Sequence, residues 1–345
     1  MQIQNNNYHI SIESEYNYWL NNVINKWITI NYKCPNCKKK TLSISKYKKS
    51  LSNPIKLRCK DKKCKKIVNI RNNTFFAYFK KIPISIIIKI IELFIIDNKN
   101  STEISKYIKE YYQLNSFNNN IIYSVVLLLR KAISHYIKEN YYEKMTTINQ
   151  NANIAVDESL FCHFNGNNQI WLIGLINTET KDFRIEAVLE RNSEILEKII
   201  RHHVSISNNI ITDGWSGYNW MDNPNSGFHR IIHVHGLHDF GHGAESTSHI
   251  ESVWGDMKRL LTKLYVSVKS ENFIYFAKEC EWRKKNNHLN NMEKISEIIF
   301  ILNHIADTVQ FDLFDKDDIE DFNKNQYNFD LNNSDSSDNE FSNSD

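Results

Sequence analysis

The chain has 345 residues, 41% hydrophobic and 12% aromatic, enough for two or three packed cores and too apolar for a wholly disordered polymer. Its most apolar stretch, IPISIIIKIIELFII, is broken by Lys89 and Glu92 and is shorter than the roughly 20 residues a bilayer needs, so no membrane association is expected. The net charge of +3 hides an asymmetry: from Phe311 to Asp345 eleven acidic residues against two lysines leave −9, so the rest of the chain carries +12, the balance of a body with a polyanionic partner.

The first residues, MQIQNNNYHI, lack the basic and apolar regions of a secretory signal, which predicts an intracellular protein. Abundant asparagine reads as the codon bias of an AT-rich genome. Residues 1–30 are expected to form a helical lead-in, with Tyr18, Trp19, Leu20, Val23, Ile24 and Trp27 at roughly helical spacing.

Residues 31–75 form a distinct unit. Cys34 and Cys37 are spaced C-x2-C, 21 residues intervene, and Cys59 and Cys64 follow as C-x4-C. Two cysteine knuckles around a short linker predict a four-thiolate Zn2+ site, a small zinc ribbon. A redox C-x2-C lacks the βαβ surroundings it needs. Between Lys33 and Lys66 stand fourteen Lys or Arg and one acid, Asp61, a density suited to phosphate contacts once zinc orders the loop. Cys162 and Cys280 stand apart and read as buried thiols.

Residues 76–145 are predicted helical. Pro83 suits a first turn, Ser101 or Thr102 would cap a second helix, and residues 118–137 form a third. Two readings stand level. One is a helix-turn-helix whose Arg130 and Lys131 reach a major groove. The other is a plain helical bundle joining two domains.

From residue 150 the pattern turns to short β-rich runs: NIAVDES, QIWLIGLIN and DFRIEAVLE, a helix at SEILEKIIRHHV, then the strand NNIIT ending at Asp213. In the later helix HIESVWGDMKRLLTKL, Ile250, Val253, Trp254, Met257, Leu260, Leu261 and Leu264 make one buried stripe. Glu251 borders it, with Gly255 and Lys258 on its side. Trp215 and Trp254 read as core. A terminal helix over 291–310 and an acidic tail over 311–345, expected to be disordered, close the chain.

This order predicts an α/β catalytic domain over 150–290 of RNase H-like fold, a mixed five-stranded sheet with flanking helices. In that fold acids from the first strand, the fourth strand and a late helix converge. Asp157, Asp213 and Glu251 fit, separated by 55 and 37 residues. Three close carboxylates need cations between them, and oxygen ligands suit Mg2+ or Mn2+. Each also has a plain reading: Asp157 or Glu158 as a strand end, Asp213 as an Asx turn, Glu251 as a lysine partner. Which of Asp157 and Glu158 points inward stays open.

VDES, TDGWSGY and STSHIESVWGDMKRLLTKLY together resemble the DDE transposases of the Merlin superfamily and their bacterial insertion-sequence relatives with ISXO2-like domains. The resemblance runs from about Cys34 to Asn287. It implies that Asp157, Asp213 and Glu251 are catalytic metal ligands and that Lys258, with Arg259, meets backbone phosphate. It implies double-stranded DNA partners (terminal inverted repeats and a target), a homo-oligomer and cut-and-paste transposition in a nucleus. The chain departs from the family at His249, where Asn is common, and in the loop HVHGLHDFGHGAES. His229, His233, His235, His238, His242 and His249 could instead hold zinc, which would make a His-based metal hydrolase. The rival functions are a domesticated transposase that binds DNA without cutting and a host RNase H-type nuclease.

Overall fold

A computed structural model describes residues 11–28, 30–38, 41–48, 50–140, 145, 153–164, 168–206, 208–233, 247–264 and 272–308, without the side chains of 162–164, 168, 272 and 306–308. The acidic tail and His235, His238 and His242 lie outside the described residues.

The lead-in forms helix α1 (Ile12–Tyr18), capped by Ser11, and runs into a π-turn over Trp19–Val23. Buried Glu15 accepts from the Trp19 indole at 3.0 Å and, 70 residues away, from the backbone N and Oγ of Ser85 at 3.1 and 2.5 Å. Ser85 lies in the first turn of α2 (Ile84–Ile95), whose own cap position, Pro83, offers no side-chain acceptor. Glu15 therefore supplies the anion that a helix N-terminus attracts.

A three-stranded antiparallel sheet follows: β1 (Leu42–Lys46), β2 (Ile55–Cys59) and β3 (Ile67–Asn69), in that order. Next to α2 stand α3 (Ser101–Tyr112) and α4 (Asn119–Asn140). The cap of α3 is Asn100, in a reciprocal capping box with Glu103, not Ser101 or Thr102.

The second sheet contains β4 (Asn153–Phe164), β5 (Asn168–Asn177), β6 (Phe183–Val188), β7 (Asn209–Thr212) and β8 (His229–Ile232). Its order is β6-β5-β4-β7-β8. The hairpins β4–β5 and β5–β6 are antiparallel, whereas β7 and β8 run parallel to β4. A 3-2-1-4-5 sheet with these directions is the RNase H-like arrangement expected from the chain order. Helix α5 (Ser193–His203) crosses between β6 and β7. Then come α6 (Ser248–Lys263), α7 (Asn272–Lys285) and α8 (Asn291–Thr308).

The sheet separates two cores. One face, with Ala155, Leu172, Ile185 and Ile211, packs on α6 and α7 and belongs to a cluster that also holds α2, α4 and the buried cysteines of the small sheet. The other face, with Ile154, Val156, Ile173 and Ile210, packs on α5 and Tyr218.

Charged residues seal the first of these cores. Glu279 on α7, fully buried, accepts from Arg130 Nε at 2.5 Å and Arg283 Nε at 2.6 Å. Arg283 also donates to the carbonyls of Phe94 and Ile95, covering the C-terminal end of α2. This corrects the groove-reading role expected of Arg130. Its guanidinium is buried against Glu279 and between the rings of Phe94 and Phe276, because bundle packing takes priority over solvent display. Lys131 is half-buried over Tyr275. The bundle reading of this segment fits these contacts. Replacing Glu279 by Gln leaves two buried guanidiniums without their counter-charge and is expected to cost about 3–5 kcal/mol in chemical unfolding.

Candidate functional site

The register of β4 against β7 carries the first two acids toward the same end of the sheet. Ala155 pairs with Ile211. Asp157 and Asp213 each stand two residues past that last pair, close enough for the Asp213 charge to act on Asp157. Alternation along β4 puts Asp157 on the Ala155 face and Glu158 on the Val156 face, which settles which of the adjacent acids turns toward α6.

Helix α6 crosses that face. Opposite Asp157 on β5 stands Gly174, where a Cβ would lie 2.6 Å from Ile250 Cδ1 and 2.7 Å from Trp254 Cη2. The missing side chain lets α6 seat against the strand. Trp254 Nε1 then donates to Asp157 Oδ2 at 2.9 Å, a polar role beyond the core role read for this tryptophan. Glu251, one turn earlier, accepts from Thr247 Oγ1 at 3.0 Å and is exposed. Burial, and then the charges of Asp213 and Glu251, raise the Asp157 pKa above the usual carboxylate range, against the lowering effect of the Trp254 N–H.

Asp213 sits at a tightly held turn. Its Oδ1 accepts from the backbone N of Trp215 at 3.0 Å, so the Asx turn and the site geometry coexist. Arg230 on β8, with its side chain only 3% exposed, donates to the carbonyls of Asp213 and Trp215, both at 3.1 Å, and to Thr212 Oγ1 at 3.1 Å. Behind the sheet, buried Glu158 faces Arg191 at 3.5 Å. The Arg191 guanidinium lies 4.2 Å from the ring centroids of both Trp171 and Trp215. The sequence pattern flagged neither arginine, since each works through partners distant in the chain.

Lys258 is exposed and 5.5 Å from the Phe161 ring, and Arg259 is exposed and paired with Asp256. Gly255 meets no packing demand, since a Cβ would touch only Arg259 Nη1, at 3.5 Å. His249 lies 3.4 Å from Lys181, and burial, followed by the charges of Lys181 and Lys284, lowers its pKa. His229 is exposed on β8, and His233 lies just past its end.

The four N-terminal cysteines converge: their Sγ atoms all lie within 4.8 Å of one another, the one such metal-ligand group among the described residues. Cys34–Cys64 and Cys37–Cys59 Sγ distances are both 3.7 Å. Four thiolates around zinc at 2.3 Å stand about 3.8 Å apart, so the set fits that ion. The Asn36 amide, donating to Cys64 Sγ at 3.3 Å, brings that thiol down to about 7. Asp157, Asp213 and Glu251 do not form such a group; as oxygen donors their chemistry would favour Mg2+ or Mn2+ over zinc.

Residues 149–285 match the ISXO2-like transposase domain. A transposase-like protein of Haemophilus influenzae is 30% identical over 106 residues, covering 30% of this chain and 80% of that protein. Among solved structures, the HTLV-2 integrase catalytic core with magnesium, in dimeric form, aligns over 41% of this chain and 88% of its own at 15% identity and a TM-score of 0.29. The simian T-cell lymphotropic virus intasome in complex with PP2A regulatory subunit B56 gamma aligns over 63% of this chain and 69% of its own at 13% identity and a TM-score of 0.26. The sheet order, not these low scores, carries the fold assignment. No helix among the described residues is long and apolar enough to cross a membrane.

Burial first, and the neighbouring Asp157 charge after it, push Glu158 up to about 7, outweighing the opposing effects of the Tyr218 hydroxyl and Arg191. A carboxyl with a folded pKa raised above its unfolded value favours the fold at low pH and loses that contribution as pH rises through about 7. Unfolding free energy should therefore fall between about pH 5 and 7, by at most about 1.4 kcal/mol per unit from this group. Glu158→Gln should flatten that slope in denaturant titrations across the range.

Proposed function

We propose that this chain, which belongs to the ISXO2-like, IS1595-type family of DDE transposases, cuts DNA at the ends of its own element and joins the freed ends to a target. The observation that supports this reading is that the charges of Asp213, just past β7, and Glu251, on the helix seated at Gly174, both act on Asp157 of β4.

In this reading Asp157, Asp213 and Glu251 hold Mg2+ or Mn2+. When bound, such ions activate an attacking oxygen and steady the leaving one in phosphodiester chemistry. The Arg230-held turn keeps Asp213 at the β7 end, and Trp254 and Thr247 orient Asp157 and Glu251. Water attack on the phosphodiester at an element end releases a 3′-OH. That hydroxyl then attacks a target phosphodiester, forming one bond and expelling another 3′-oxygen, so the number of phosphodiesters is conserved. Lys258, exposed on α6, and Arg259, exposed beside its partner Asp256, would meet backbone phosphate.

The small sheet supplies the grip. Zinc at Cys34, Cys37, Cys59 and Cys64 orders it, and exposed Lys33, Lys38, Lys48, Arg58, Lys60, Lys62, Lys63, Lys65 and Lys66 offer a phosphate-binding surface. Terminal inverted repeats are the partner it would recognise. A homo-oligomer bringing two ends together, Merlin-superfamily membership and a nuclear site of action belong to the same proposal.

Two outcomes check it. Metal analysis of the purified chain should find one zinc per chain, lost in Cys37→Ser. DNA carrying the gene's own flanks should be cut at the repeat ends in Mg2+, and Asp213→Asn should abolish those cuts while leaving binding intact. Tight binding by the wild type without cuts, in Mg2+ or Mn2+, would replace the transposase reading with that of a DNA-binding protein descended from one.

A further inference from the structure

Trp254 does more than fill a core. Its ring is 5% exposed and enclosed on several sides. The backbone of Gly174 forms one wall, since a Cβ there would come within 2.8 Å of Trp254 Cζ2. Phe161 stands edge-on at 5.9 Å and Phe183 at 6.4 Å. A ring so enclosed keeps one rotamer, and its N–H keeps one direction. That direction is Asp157 Oδ2, 2.9 Å away and 97 residues distant in the chain.

The terminal torsion of a carboxylate is broad, and besides Trp254 the Asp157 carboxylate meets the backbone N–H of Glu158, its own chain neighbour. A fixed donor on one oxygen sets where the other one points. Charge repulsion acts the opposite way, since Asp213 and Glu251 both disfavour an ionised Asp157 facing them. A hydrogen bond to the ionised form offsets that tendency.

The geometry points to Trp254 as a positioning residue. Its indole N–H fixes the rotation of Asp157 so that the remaining oxygen faces Asp213 and Glu251 as a cation ligand, and Gly174 is the gap that admits it. This rests on the carboxylate site proposed above. It assigns to Trp254 the orienting part that partners of metal ligands play.

The test separates the N–H from the ring. In Trp254→Phe the ring remains and the donor is gone. Benzothienylalanine at position 254 keeps the full indole shape with sulfur in place of N–H. Mn2+ binding to the full-length, zinc-loaded chain is followed by the paramagnetic resonance of free Mn2+, alongside melting temperature, for wild type, Asp213→Asn and both replacements. We expect the benzothienyl protein to melt close to wild type and to bind Mn2+ about 10-fold more weakly, the lower end of the range for such partners. Trp254→Phe should weaken binding similarly, and if it melts early the benzothienyl protein alone decides. Wild-type affinity in the benzothienyl protein, with binding lost in Asp213→Asn, overturns the positioning role and leaves the carboxylate site standing. Wild type binding no more Mn2+ than Asp213→Asn overturns both.

Discussion

The parallel pairing of β4 with β7 is the constraint on which the rest depends. It is a short ladder, Asn153–Ala155 against Asn209–Ile211, made by two apolar runs buried on both faces. A slip of one residue would exchange Ile210 and Ile211 between the two cores, misfitting both, and would move Asp213 relative to Asp157. Hydrophobic burial thus sets the position of two charges that repel each other. The apolar residues gain enough on folding to hold a juxtaposition that the carboxylates alone would resist.

The two faces of the sheet hold that juxtaposition in different ways. On the α6 face the device is a gap: Gly174 lets Trp254 and Ile250 lie against the strand and carries Glu251 alongside. On the α5 face it is a buried charge and a stack: Glu158 faces Arg191, which lies between Trp171 and Trp215. Gly217 belongs to this second device, because a Cβ there would collide with the folded-back Trp215 ring. The backbone N–H of Trp215 is in turn a ligand of the Asp213 carboxylate. Small residues at 174 and 217 thus serve two aromatic side chains, and those serve the two aspartates.

What could be read in the amino-acid order was whatever depends on near neighbours. The cysteine spacing foretold a cluster because two tight turns bring each pair together. The run Ile210–Thr212 foretold a strand ending in an acid, and the α6 stripe was visible in its own periodicity. The choice between Asp157 and Glu158 was not visible, because alternation assigns them to opposite faces without saying which face holds the site. Arg130 was misread for a related reason: a cation on a helix looks solvent-facing until a partner 149 residues later buries it. The cap of α2 by Glu15, 70 residues upstream, was equally hidden. Asn100 was overlooked although its signal was local, a capping box with Glu103 three residues on.

The buried bridge from Arg130 through Glu279 to Arg283 ties α4 and the end of α2 to α7, which packs on the five-stranded sheet. The same apolar cluster continues from Trp254 to Leu42, Ile55 and Leu57 of the lysine-rich small sheet. Grip and blade, on the functional reading given above, therefore share one buried core. A shared core would make the separation between the DNA held and the bond broken depend on how these elements pack. A change to that packing would then be read as a shift in where the cut falls along the DNA.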